Sequence, residues 1–339
     1  MNETRKSEPF WWLPGRDAEK RFLWVPYCKG IARLPNSKKW VLNINEEAFL
    51  VDVSKLCYIM FYGNVGAIPM PFLDELSSFR AVCVIMRRNA RHPYVFLPGG
   101  DPSREDLLTA QILCRCNDRK AAHIARSLVK ARLSYMQGAF PLLSGFTAQL
   151  AAARTVGQVR AVEARLVSAY WKQWYAALGL KMTRRSRSPV NSALDAGSHF
   201  IAGILMRWIV FHRLSPHHAF LHETTGYPAL VYDLMEPYRY LIEESAAAAW
   251  TEFAGDARGE DPGLAAALSR QTIDTLMQRL DEEAGLEQGK PVAHKQLLRG
   301  AVVSLARYCR GETRTFRIPL PGAIRGAGRQ ERVLCQAGG

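Results

Sequence analysis

Near residue 100 the spacing of apolar residues changes, and that change constrains the fold class more tightly than any other feature of the chain. Before it, short runs rich in β-branched and aromatic residues alternate with turn signals: Arg21 to Tyr27, Trp40 to Ile44, Phe49 to Asp52, Cys57 to Phe61, Ala81 to Met86 and Tyr94 to Leu97. Runs of this length and composition read as strands, and six short ones favour a sandwich. Pro71 to Ser78 reads as one short helix between strands. The breaker cluster Pro98-Gly99-Gly100-Asp101-Pro102-Ser103 then closes the strand region, and Ser103-Arg104-Glu105-Asp106 resembles a helix start with acidic residues in its first turn. From Leu107 onward apolar residues recur at helical spacing through segments near 105–138, 145–178, 189–213, 228–254, 262–284 and 292–310. The expected class is α+β. An N-terminal extension over 1–19 precedes a small β-sandwich-like domain over 20–102, a larger all-α domain follows over 103–310, and a basic, mobile tail fills 311–339.

A chain of 339 residues that is 48% hydrophobic can bury cores for two such domains, which excludes wholesale disorder. Its formal charge of +14 makes nucleic acid the default partner, against the blander reading of a basic surface that serves solubility. Seven cysteines form an odd set without framework spacing, which fits a reducing, cytoplasmic setting. Cys114 and Cys116 have one residue between them, which is not zinc-finger spacing, so they read as ordinary helix cysteines. The apolar stretch Phe200 to Phe211 is interrupted by Arg207 and is too short to span a bilayer, so it reads as a core helix and no membrane is expected.

Three features carry chemistry. In the helix near 158–178, Leu166, Val167, Tyr170 and Trp174 follow Glu163 at three, four, seven and eleven residues, placing a carboxylate on the inward stripe. A buried charge is costly unless paired or bound to a metal, so Glu163 needs an arginine partner, a place at the edge of the stripe, or a cation. The run Leu214-Ser215-Pro216-His217-His218-Ala219-Phe220-Leu221-His222-Glu223 then leads into a helix beginning near Pro228. His222 follows Phe220 and Leu221, which anchor it to the core, whereas His217 and His218 follow a proline in a loop. Asp233 and Glu236 are three apart on one helix face, where a divalent cation would relieve their repulsion. A mixed imidazole and carboxylate set suits Mg²⁺ or Mn²⁺. Each of these residues alone has a bland reading as a hydrogen-bonded or paired side chain, and only the joint pattern favours a site. Third, Lys181, Arg184, Arg185 and Arg187 lie in a loop before Pro189-Val190-Asn191, where they serve either as a solvated loop or as phosphate contacts.

In order along the chain, these residues resemble the CRISPR-associated integrase family Cas1. Gln111 to Tyr135, with Asp118, Ile124-Ala125-Arg126 and Val129-Lys130-Ala131, resembles the helix opening the family's catalytic domain. Glu163-Ala164 with Tyr170-Trp171 resembles its glutamate helix, and Asn191-Ser192-Ala193-Leu194 its asparagine motif. Phe220-Leu221-His222, then Ala229-Leu230-Val231-Tyr232-Asp233-Leu234-Met235-Glu236, resembles its histidine and acidic motifs. The resemblance covers about residues 20–310. It implies an all-α catalytic domain in which Glu163, His222 and Glu236 hold Mg²⁺ or Mn²⁺, with Asp233 as a further acidic catalytic residue. It also implies a homodimer in a larger complex with the small subunit Cas2, acting on double-stranded DNA. The implied reaction joins the 3′-hydroxyl of a captured fragment to a CRISPR repeat, with Tyr170, Asn191 and the 181–187 loop against the DNA. This chain departs from the family pattern at Ala219, where Gly is usual, and at Ser198-His199, where aromatic residues are common. Pro237 follows Glu236 where an acid is common, and proline disfavours helical geometry in the residue before it.

Overall fold

The computed structural model describes residues 20–44, 46–63, 65–87, 93–98, 107–222, 226–253, 262–285 and 291–322. The extension over 1–19, the breaker cluster from Gly99 with the helix start at 103–106, Glu223, and the tail beyond 322 lie outside the described residues. The described residues form two compact units, one of residues within 20–98 with 199–213 and one of residues within 107–198 and 214–322.

Among the described residues of the first unit, seven strands form two sheets. Strands β1 (Arg21–Pro26), β5 (Leu56–Tyr62), β6 (Val82–Met86) and β7 (Tyr94–Phe96) are ordered β1-β5-β6-β7, and β2 (Cys28–Arg33), β3 (Trp40–Ile44) and β4 (Glu47–Val51) form an antiparallel meander. The run at Arg21 to Tyr27 is therefore one whole strand and a corner, because Tyr27 takes a positive φ of 48° and turns the chain into β2, a strand the sequence pattern did not reveal. Strand β1 pairs with β5, and β5 with β6, in parallel. Parallel neighbours need crossovers. The meander supplies the first and helix α1 (Met70–Ser78) the second. Val25, Ile59, Phe61 and Cys83 of the mixed sheet share one apolar core with Ile31, Trp40 and Leu42 of the meander and Phe72 and Leu76 of α1. The α+β class and the two-sheet β domain hold, with parallel pairing added.

The second unit is helical: α2 (Leu108–Cys116), α3 (Asp118–Ala139), α4 (Phe146–Ala152), α5 (Val156–Ala177), α6 (Pro189–Phe211), α7 (Ala229–Met235), α8 (Arg239–Phe253), α9 (Pro262–Asp281) and α10 (His294–Arg310). A two-stranded ribbon, β8 (Glu283–Ala284) with β9 (Val292–Ala293), precedes α10. Local signals set the breaks inside the long helical stretches. Asn117 accepts from the Lys120 N–H and starts α3, and a capping box of Thr155 and Gln158 starts α5. The second half of α6, from His199, belongs to the β unit, where Phe200 meets Tyr58 edge-on at 5.1 Å. Gly203 makes room for this packing, since a Cβ there would lie 2.1 Å from the Tyr58 ring. Among the described residues α6 alone is long and apolar enough to cross a membrane, and it is mostly buried, as expected of a core helix.

The chain after α10 corrects the expectation of a mobile tail over its first part. Phe316, Ile318 and Leu320 are buried, and the Pro319 carbonyl accepts from the Tyr238 hydroxyl at 2.8 Å. The alternation of apolar residues from 316 to 320 is that of an extended segment laid on a core.

Candidate active site

The helical unit assembles its site from α3, α5, the loop between α6 and α7, and the junction of α7 with α8. Asp233, fully buried on α7, organises that loop. Its Oδ2 accepts the backbone N–H groups of Phe220 and Leu221, each at 2.7 Å, and its Oδ1 accepts that of His222 at 3.1 Å. The same Oδ1 lies 2.7 Å from His222 Nδ1. A carboxylate accepts, so Nδ1 carries the hydrogen and Nε2 keeps its lone pair as a ligand or base. Burial lowers the His222 pKa, but the hydrogen bond and charge of Asp233, followed by Glu236 and Glu163, raise it above the usual value. On the other side of the loop, buried Gln111 donates to the Ser215 and His218 carbonyls at 2.9 and 2.7 Å. His217 and His218 stay in this supporting stretch, and Arg115 Nη1 lies 3.4 Å from His218 Nδ1.

Glu236 is also buried, but it faces a different group from Asp233. Helix α7 ends at Met235 and a 3-10 turn over Glu236–Tyr238 leads into α8. Pro237 thus interrupts the α-helix, while Glu236 itself keeps right-handed helical angles of φ −49° and ψ −45°, so the unusual angle expected from the proline is absent. Arg132 of α3 donates from Nη1 to Glu236 Oε2, and Arg239 donates from Nε to Oε1 at 2.8 Å. Burial raises this carboxyl, but Arg132 and then Arg239 reverse that and hold it at about 2.

Glu163 stands half-buried on α5, at the edge of a stripe whose members Leu166, Tyr170 and Trp174 are fully buried. Burial, and then the charge of Glu236, push its carboxyl up, while Arg132, His222 and Arg239 pull it down. It therefore senses Glu236, Arg132, His222 and Arg239. Glu163, His222 and Glu236 offer two carboxylates and one imidazole nitrogen, a set that fits Mg²⁺ or Mn²⁺. The charge fits as well. Glu163, Glu236 and Glu243 lie in the field of Arg132 and Arg239, so carboxylates outnumber these two guanidiniums, an excess a divalent ion would cancel. Among the described residues no three such side chains are already drawn together around a common point, and the two arginines occupying Glu236 account for that.

The basic loop is built on Asn191, whose Nδ2 donates to the carbonyls of Thr183 and Ser186 at 2.9 and 2.7 Å while its Oδ1 accepts from the Tyr175 hydroxyl. Lys181, Arg185 and Arg187 project into solvent, whereas Arg184 pairs with Asp195 and lies over the Trp171 ring at 5.8 Å.

The model of the family described as CRISPR associated protein Cas1 matches residues 36–253, nearly two thirds of the chain. The chain belongs to the Cas1 family. The match runs from the β meander to the end of α8 and so includes Glu163, His222, Asp233 and Glu236. A curated relative, the CRISPR-associated endonuclease Cas1 2 of Pyrobaculum aerophilum, is 32% identical over 96 residues, 28% of this chain and 32% of that protein. The matched region thus spans about a third of that relative's length. Among solved structures, a casposase bound to integration product has a TM-score of 0.74 at 18% identity, covering 92% of this chain and 96% of that one. A Cas1 protein from Thermotoga maritima has a TM-score of 0.72 at 17% identity, covering 87% of this chain and 98% of that one. At such identities these two likenesses show a shared fold.

In this Cas1 chain two sequence expectations need correction. Tyr170 and Asn191 do not present DNA-facing surfaces, because Tyr170 is fully buried with its hydroxyl on Glu243 Oε2 at 2.7 Å and Asn191 is buried as the anchor of the loop. Three charged residues packed against Glu236 or its arginine partner were missed: Arg132, Arg239 and Glu243. A signal existed for two of them. Arg132 lies on the apolar stripe of α3 with Ala125, Leu128 and Tyr135, and Glu243 lies on the stripe of α8 with Tyr240 and Ala247. Charges in such places require partners by the reasoning applied to Glu163.

Proposed function

We propose that this chain is a divalent-metal-dependent DNA integrase and nuclease of CRISPR adaptation, joining the 3′-hydroxyl ends of captured DNA fragments into a CRISPR repeat. The observation that carries the reading is the grouping, in a Cas1 family member of charge +14, of Glu163, Glu236 and an imidazole whose Nε2 is left open by the Asp233 bond. When bound, Mg²⁺ or Mn²⁺ supplies polarisation of the scissile phosphate and neutralises the charge that develops on it. Glu163, His222 and Glu236 are the residues to hold it, and Asp233 is a positioning residue that fixes the His222 ring and tautomer. The fragment's 3′-oxygen bonds to phosphorus, the bond from that phosphorus to the displaced 3′-oxygen breaks, and the attacking hydroxyl loses a proton while the departing oxygen gains one. His222 Nε2 serves as ligand or as acceptor of that proton. Water as the nucleophile gives hydrolysis at the same site.

Lys181, Arg185 and Arg187 are proposed to hold the backbone of double-stranded DNA, the captured fragment and the repeat. Replacing all three by alanine should weaken DNA binding and lower the slope of log affinity against log salt by up to about three, near 0.9 for each lost phosphate contact. An unchanged slope, measured by fluorescence anisotropy from 50 to 200 mM salt, would remove the loop from the interface. A homodimer with the small subunit Cas2 is the proposed assembly, supported by the occurrence of this fold in a solved Cas6-RT-Cas1–Cas2 complex.

The deciding experiment offers a short duplex with free 3′-hydroxyls and Mn²⁺ to a plasmid carrying a CRISPR repeat, with and without Cas2. Joining at the repeat ends is the expected result. A second reading, a transposon-borne integrase, draws on the fold shared with the casposase and predicts joining to terminal inverted repeats instead. Salt-sensitive DNA binding with no joining to either target would mark a non-catalytic scaffold and overturn both.

A further inference from the structure

Behind the proposed ligands lies a buried ionic chain that the joining reaction does not itself require. Arg132, which is 4% exposed, stands between two carboxylates that are nearly as enclosed, Glu236 at 3% and Glu243 at 2%. It is bonded to Glu236 Oε2, and its Nη2 lies 3.6 Å from Glu243 Oε1. Glu243 Oε2 accepts from the Tyr170 hydroxyl, while Glu243 Oε1 and Arg132 Nε have no hydrogen-bond partner. The guanidinium thus has one tight carboxylate and one within a short displacement of a full bond. A buried acceptor and a buried donor left open cost stability, and a site keeps such a cost when a second arrangement uses the groups.

We propose that Glu243 is a positioning residue for Glu236: it shares Arg132, so that the guanidinium can swing from Glu236 toward Glu243 Oε1 and release a Glu236 oxygen to the cation. This rests on the metal site proposed above. Glu243 lies on α8, seven residues after Glu236, with its other oxygen fixed by Tyr170, so its charge is held in place while Arg132 moves. Without that charge Arg132 remains on Glu236 and competes directly with the ion. The arrangement is an outer shell that tunes a ligand it does not touch.

The test is Mn²⁺ affinity of the full-length protein, titrated by electron paramagnetic resonance without DNA. Glu243→Gln keeps the volume and can still bond Tyr170, and is expected to weaken Mn²⁺ binding about tenfold, the lower end for loss of an outer-shell partner. Glu243→Asp keeps the charge but draws it back, and should fall between, at about threefold. In the joining reaction the Mn²⁺ concentration for half-maximal rate should rise in parallel while the rate at saturating Mn²⁺ stays near that of the parent. A purely structural Glu243 would change melting temperature and leave the affinity of the folded fraction alone, and that result overturns the proposal. If Glu243→Gln does not fold, Glu243→Asp with parental affinity overturns it equally. Loss of Mn²⁺ binding in Glu163→Ala but not in Glu243→Gln would refute Glu243 and keep the metal site. Failure of the parent protein to bind Mn²⁺ would overturn both.

Discussion

Glu163→Ala is expected to lower joining by about a thousandfold or more with Mn²⁺ present, since losing a bound ion forfeits several kcal/mol of transition-state stabilisation. DNA affinity should remain within about twofold, because the phosphate contacts are assigned to the 181–187 loop and the rest of the positive charge. Stability should not fall. Glu163 is half-buried with its carboxyl pushed up by burial and by Glu236, so removing it relieves a like-charge contact. A protein that melts no lower than the parent, binds DNA and does not join is the signature of a lost ligand. Unchanged joining would sink the metal assignment, and joining lost together with melting temperature would make Glu163 a structural residue.

That contrast shows what could be read from the residues. Glu163, Asp233 and Glu236 drew attention as carboxylates at helical spacing among apolar residues, and His222 as an imidazole anchored by Phe220 and Leu221, but only their joint pattern favoured a site. The structure then separated two carboxylates that looked alike. Asp233 turns toward the histidine loop and spends both oxygens on it, whereas Glu236, three residues on, faces arginines. Spacing along one helix could not make that distinction, because Arg132 comes from α3, far away in sequence, and the 220–222 amides reach Asp233 only once the loop has folded back. Non-local pairing hid the β unit's topology in the same way: all the strands but β2 were legible from composition, but their parallel order depends on crossovers. Tyr170 misled for a different reason. An aromatic residue beside a basic loop reads equally well as a stacking surface or as core, and its position on the stripe of Leu166 and Trp174 placed it in the core.

Arg132→Met is expected to have the largest effect on the fold, because it strips the counter-charge from two buried carboxylates at once. Breaking a buried pair by removing one partner costs about 3–5 kcal/mol. For a unit of this size that lowers the melting temperature by roughly 6–20 °C. The size of the effect should depend on pH in a defined direction. Glu236 is held at about 2 in the folded protein, well below its value of 4.5 when exposed, so its pairing stabilises fully above pH 4.5 and fades as pH falls toward 2. The gap between parent and Arg132→Met, measured by urea unfolding in EDTA, should therefore be widest near neutrality and close on acidification. Joining should fall as well, because Glu236 loses a group that fixes its position. Neutralising the carboxylates in the same background, as Arg132→Met with Glu236→Gln and Glu243→Gln, removes the uncompensated charges and should recover most of the stability without any recovery of joining. If the triple variant is no more stable than Arg132→Met alone, the arginine contributes by packing, and the buried charges it touches are not what the fold depends on.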